Sequence, residues 1–126
     1  TTAIYRVQCK GATFIYTGEM TNRISQKLLT IYNEDLKCDV VQVANHGWNN
    51  CGVLEFYEKC GAKLQIWNNS EYGYQFFRKD EGYKKTEVST RVYNLPSCVL
   101  NVFCNQAKPQ HFSLPLKDEQ LKYDVF

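Results

Sequence analysis

The chain has 126 residues, 44% hydrophobic and 14% aromatic. That is enough apolar material for one core and too many aromatics for a disordered polymer. Fifteen basic against 13 acidic residues leave a formal net charge of +2, too small to imply a nucleic-acid or membrane partner. No stretch approaches the ~18 apolar residues of a membrane span, and Thr1 to Cys9 lack the apolar block of a signal peptide.

In chain order, Ala3 to Cys9 and Ala12 to Thr17 are β-rich runs around Lys10-Gly11, the pattern of a hairpin with a tight turn. Thr21 is a good N-cap for the next segment. There Ile24, Leu28, Ile31 and Tyr32 recur at helical spacing, which predicts an amphipathic helix to about Leu36. Cys38 to Ala44 is short, β-branched and nearly continuous in apolar character, as in a strand buried on both faces. A polar loop, Asn45 to Asn50, precedes a short helix from Val53 to Cys60, with Gly61 in the C′ position. Lys63 to Trp67 reads as the next strand.

Asn68 to Gly82 is aromatic, contains glycine and shows no period. Glu87 to Leu95 reads as a helix stopped by Pro96. Cys98 to Cys104 reads as a strand, Gln106 to Gln110 as a turn, and His111 to Leu114 as a segment that pairs back. Strands alternating with helices indicate an α/β layer with a mixed sheet, in a single domain covering 1–126.

Met20 is the sole methionine, so the chain opens without an initiator residue. We expect a segment of a longer protein. The six cysteines, Cys9, Cys38, Cys51, Cys60, Cys98 and Cys104, mostly sit in or beside apolar runs, where a free thiol acts as a small buried hydrophobe. Cys98 and Cys104 on one strand would stand roughly 20 Å apart, beyond the ~5.5 Å that a bridge spans. There is no CxxC pair. Reduced thiols and a cytoplasmic location are expected.

Chemistry concentrates at two predicted strand ends: Tyr16-Thr17-Gly18-Glu19 and Val43-Ala44-Asn45-His46-Gly47. In open α/β sheets, ligands bind beyond the carboxyl ends of strands. One strand–helix–strand unit separates Glu19 from His46, so a parallel crossover would bring both ends to one sheet edge. A carboxylate oxygen and an imidazole nitrogen are a ligand pairing that suits zinc. The plain alternative is a strand-to-helix turn with Glu19 beside the helix N-terminus and His46 in an ordinary loop.

Phe14-Ile15-Tyr16-Thr17-Gly18-Glu19-Met20, a helix, then Leu36 to Gly47 (LKCDVVQVANHG) resembles the metallo-β-lactamase superfamily. The nearest branch is that of the DNA-uptake protein ComEC and the phosphorylcholine esterases, which reads "tGD", a helix, then "DVlkvpHHG". Phe56-Tyr57, Lys63 and Ile66-Trp67 resemble its next helix and strand. The resemblance covers roughly 1–67, and 68–126 would complete the sheet. It implies half of an αβ/βα sandwich, a mixed sheet with helices on one face.

The family's "tGD" aspartate bridges two metal ions and a histidine of "HHG" binds one. The resemblance therefore carries metal-ligand positions onto Glu19, Asn45 and His46. Both motifs depart from the pattern. Glu19 is one methylene longer than Asp, ~1.5 Å of extra reach. Asn45 offers a neutral amide, a poor zinc ligand. The amino-terminal HxHxDH cluster is missing, for the chain has only His46 and His111.

A catalytic zinc needs about three protein ligands and an open water position. The expectation is a non-catalytic chain, without bound metal in isolation, from a parent that would hold zinc if its site were intact. The alternative is a metal-free binding or assembly module. Half a sandwich leaves one sheet face open. It should be met by the missing amino-terminal half, by self-association, or by the 68–82 segment. The weaker candidates were an aromatic and basic stretch, Tyr72 to Lys79, for base stacking and a Cys104/His111 pair. No catalytic context surrounds the pair, and the aromatic stretch reads more plainly as a loop that covers an open sheet face or packs on the missing half.

Overall fold

The computed structural model describes residues 2–70, 87–104 and 110–122. The fold is α/β: a five-stranded mixed sheet in the order β1-β2-β3-β4-β5, with three α-helices among the described residues.

Strands β1 (Tyr5–Cys9) and β2 (Ala12–Tyr16) form the expected hairpin, in antiparallel register from Tyr5↔Tyr16 to Cys9↔Ala12. Lys10 (φ 44°) and Gly11 (φ 76°) turn the chain with two positive φ angles. That twist matches the twist of the flanking strands.

Helix α1 (Asn22–Tyr32) starts at Thr21, whose hydroxyl accepts from the Ile24 amide. The helix stops short of the predicted Leu36. Asn33 takes a positive φ of 38°, and the chain continues as a tight single turn, Asn33–Leu36. Glu34 in that turn accepts hydrogen bonds from Lys37 and Lys59, both at 2.8 Å. These two ammonium groups, Lys37 first, hold its carboxyl down to about 2.

Strand β3 (Val40–Val43) lies parallel to β2, with Phe14↔Val40 and Ile15↔Val41 in register. Helix α2 (Leu54–Cys60) ends at Gly61, whose φ of 57° lets its amide bond the Tyr57 carbonyl. Strand β4 (Leu64–Trp67) follows, parallel to β3. Helix α3 (Glu87–Tyr93) leads to β5 (Leu100–Phe103), parallel to β4.

Side chains alternate across the sheet, and the two faces separate cleanly. Ile15, Val41, Val43, Trp67 and Phe103 point to one face. There they pack with Ile24 and Leu28 of α1, Phe56 and Tyr57 of α2, and Val92 of α3. All three helices therefore cover the same face, as expected for half a sandwich. Val40, Leu64, Ile66, Leu100 and Val102 point to the other face, where Phe112, Leu116 and Leu121 lie over them.

That cover corrects one expectation. His111 to Leu114 does not pair back as a strand. Burial of Phe112, Leu116 and Leu121 against the sheet draws this segment across the face instead of along an edge. The 68–82 segment lies largely outside the described residues, as do the 106–109 turn and the Tyr72 to Lys79 stretch. Among the described residues the cover stops short of the hairpin. Tyr5, Val7 and Tyr16 share that face by register and remain 61%, 43% and 42% exposed. Tyr16 stacks on Phe14, with ring centroids 6.4 Å apart. All six cysteines are free thiols. No helix among the described residues is long and apolar enough to cross a membrane.

Candidate functional site

Because β2, β3 and β4 run parallel, the segments leaving their carboxyl ends share one rim. Gly18-Glu19 leaves β2, Asn45-His46-Gly47 leaves β3, and Asn68 leaves β4. The Asn45 amide donates to the Gly18 carbonyl at 3.0 Å, so the first two turns are hydrogen-bonded side by side. The predicted neighbourhood of Glu19 and His46 is thus present.

The two side chains meet. His46 Nε2 lies 3.4 Å from Glu19 Oε1. His46 Nδ1 lies 2.6 Å from the Asn68 carbonyl oxygen. A carbonyl only accepts, so Nδ1 carries the proton, and Nε2 is the nitrogen presented to Glu19. A metal-binding histidine is commonly oriented this way, with its distal N–H on a backbone carbonyl. Tetrahedral zinc with ligands at ~2.0–2.1 Å would separate two of them by roughly 3.4 Å, so the pair is spaced like one edge of such a site. The contact lies at the surface, with side chains 46% and 61% exposed.

Among the described residues the donor set falls short of a catalytic zinc site. Asn45 offers a neutral amide, whose Nδ2 donates to the Asn49 carbonyl at 2.8 Å. Among the described residues, no group of three His, Cys, Asp or Glu side chains comes together. His111 is exposed on the segment that crosses the opposite face of the sheet. Two ligands cannot supply the three-plus-water arrangement that acidifies a bound water.

The local backbone explains why this loop holds its shape. Asn45 (φ 47°), His46 (φ 57°) and Gly47 (φ 74°) make a left-handed turn. A non-glycine residue there costs about 1–2 kcal/mol, so something must hold the turn in place. The Ala44 amide donates to the Tyr57 hydroxyl at 3.0 Å, and that buried hydroxyl donates to the Cys51 carbonyl. Burial, the largest cause, pushes the Tyr57 phenol well above its ordinary range. On the β2 side, Gln42 accepts from the Thr17 hydroxyl through its carbonyl and from the Gly18 amide through its side chain. The Thr2 hydroxyl accepts from the Glu19 amide.

Beside the His46 turn, a polar cleft of about 170 Å³ is lined by Asn22, Trp48, Asn49, Asn50, Cys51, Gly52, Val88 and Ser89. Asn22 and Asn50 brace it: the Gly52 amide donates to Asn22 Oδ1, and the Asn22 amide to Asn50 Oδ1.

Sequence reading located Glu19, Asn45 and His46 but missed Asn68, Tyr57 and Gln42. Gln42 carried a visible signal, as the lone amide in the apolar run VVQV. Asn68 follows the third parallel strand and was placeable once the strand order was assumed. Nothing marked the Tyr57 hydroxyl as the brace of the loop. Compared with known proteins, the chain matches no family model, no curated protein and no solved structure.

Proposed function

We propose that the chain is the carboxy-terminal half of a metallo-β-lactamase-like hydrolase domain, contributing a two-ligand half-site and no catalysis of its own. The observation that carries this reading is the Glu19–His46 contact at 3.4 Å, with the imidazole oriented by the Asn68 carbonyl. The motif order and the shared rim agree with it. The remaining ligands would come from the amino-terminal half of the domain, which would also cover Tyr5, Val7 and Tyr16 on the open face. In that setting zinc would act as a Lewis acid on a phosphoester or amide-type substrate, while Glu19 and His46 hold it from this side. A cytoplasmic location with reduced thiols belongs to the same proposal.

A second reading is favoured by Asn45, a neutral amide at a position where the resembled pattern has a histidine. On that reading the fold is a metal-free binding or assembly module that uses its open face. Metal analysis of a longer protein containing this chain distinguishes the two. About two zinc ions per chain supports the hydrolase, and none supports the module. The isolated chain should retain no zinc after dialysis and should not hydrolyse an activated phosphodiester.

A further inference from the structure

We infer that Cys38 and Cys60 form an oxidisable dithiol, which a hydroperoxide closes into a disulfide tying the entry of β3 to the end of α2. Neither residue belongs to the rim. The Cys38 amide donates to the Cys60 carbonyl at 3.0 Å, which puts the two backbones in contact across the strand–helix junction. Cys60 is part of the core cluster on the helix side of the sheet, and Cys38 packs against the same cluster. With the backbones this close, side-chain rotation is the motion that would bring the sulfurs to the ~2.05 Å of an S–S bond.

The two thiols have unequal access, and this sets the order of events. Cys38 is half-buried and open to a small oxidant, whereas Cys60 is 1% exposed. Hydrogen bonding to Cys38 and burial push the Cys60 thiol up, and the more accessible Cys38 meets the oxidant first. Its sulfur attacks the near oxygen of the hydroperoxide. The O–O bond breaks, and the alcohol leaves carrying the thiol proton. Cys38 is then a sulfenic acid. The Cys60 sulfur attacks the Cys38 sulfur, the S–O bond breaks, and water leaves with the Cys60 proton. Two thiols lose two electrons, and one peroxide gains them. The closed loop spans β3, the His46 turn and α2, so oxidation would stiffen the segment that presents His46.

The test exposes the whole chain to a modest excess of hydrogen peroxide, alkylates the remaining thiols and maps the peptides by mass spectrometry. The expected product contains a Cys38–Cys60 cross-link, has lost two hydrogens, and leaves four of the six thiols alkylated. Its melting temperature should rise by roughly 5–15 °C and return on reduction with dithiothreitol. Cys38→Ser should lose no thiol pair under the same treatment. A cross-link through exposed Cys9 or Cys104, or a Cys51–Cys60 bridge, would overturn the assignment. So would terminal oxidation of Cys38 with Cys60 left free. The wild-type map decides the matter even if a variant fails to fold.

Discussion

The indole of Trp67 closes over the α-carbon of Gly47 so tightly that a β-carbon there would lie 2.6 Å from Cε3. The contact joins the left-handed turn to the aromatic group of buried Trp67 and Phe103 and half-buried Tyr93. Gly47 is thus fixed twice, by its φ of +74° and by the indole. Gly47→Ala combines αL strain with overpacking and should cost roughly 2–4 kcal/mol. Urea denaturation measures it, and the midpoint should fall without a change in slope.

Tyr57→Phe should destabilise by roughly 2–4 kcal/mol. The phenol oxygen is the hydrogen-bond partner of the Ala44 amide and the Cys51 carbonyl inside the core. Removing it leaves a buried donor and a buried acceptor unpaired. Hydrogen exchange at the Ala44 amide should accelerate in the variant more than that at Val41 in mid-strand.

Much of this arrangement was legible in the sequence, for identifiable reasons. Lys10-Gly11 could only turn a hairpin tightly, and Thr21 could only cap. The span from Glu19 to His46 holds one helix, so right-handed crossover places both on one rim. What escaped depended on tertiary packing. Phe112, Leu116 and Leu121 looked like isolated apolar residues in a polar tail, and no local pattern tells which face such residues will cover. The end of α1 was misjudged because residues 33–36 keep helical polarity while Asn33 takes a positive φ.

Stability should hold from neutral pH to about pH 9 and then decline. Burial raises the thiols of Cys51 and Cys98 from 9.0 to about 11, and Tyr57 rises as well. A raised acidic group stays protonated in the fold while its unfolded counterpart ionises. The unfolded state is therefore favoured as pH climbs from about 9 to about 11. Cys51 alone should account for roughly 2 kcal/mol of loss across that window. Urea midpoints at pH 7, 9 and 11 check it, and Cys51→Ala should flatten the slope.

The exposed strip of Tyr5, Val7 and Tyr16 lies beside an edge strand, a combination that promotes association. Sedimentation of the isolated chain should show weight-average mass rising with concentration. Val7→Lys places a charge on the strip and should weaken that association by tenfold or more, with little effect on melting temperature.

The most direct test of the rim is a zinc titration of the isolated chain, followed through the His46 imidazole by NMR. Zinc at millimolar concentration should shift the His46 ring resonances, with weak and fast-exchanging binding. Glu19→Gln should reduce the response and His46→Ala abolish it. Unmoved His46 resonances at that concentration would contradict the half-site, and so would tight zinc binding that survives both substitutions.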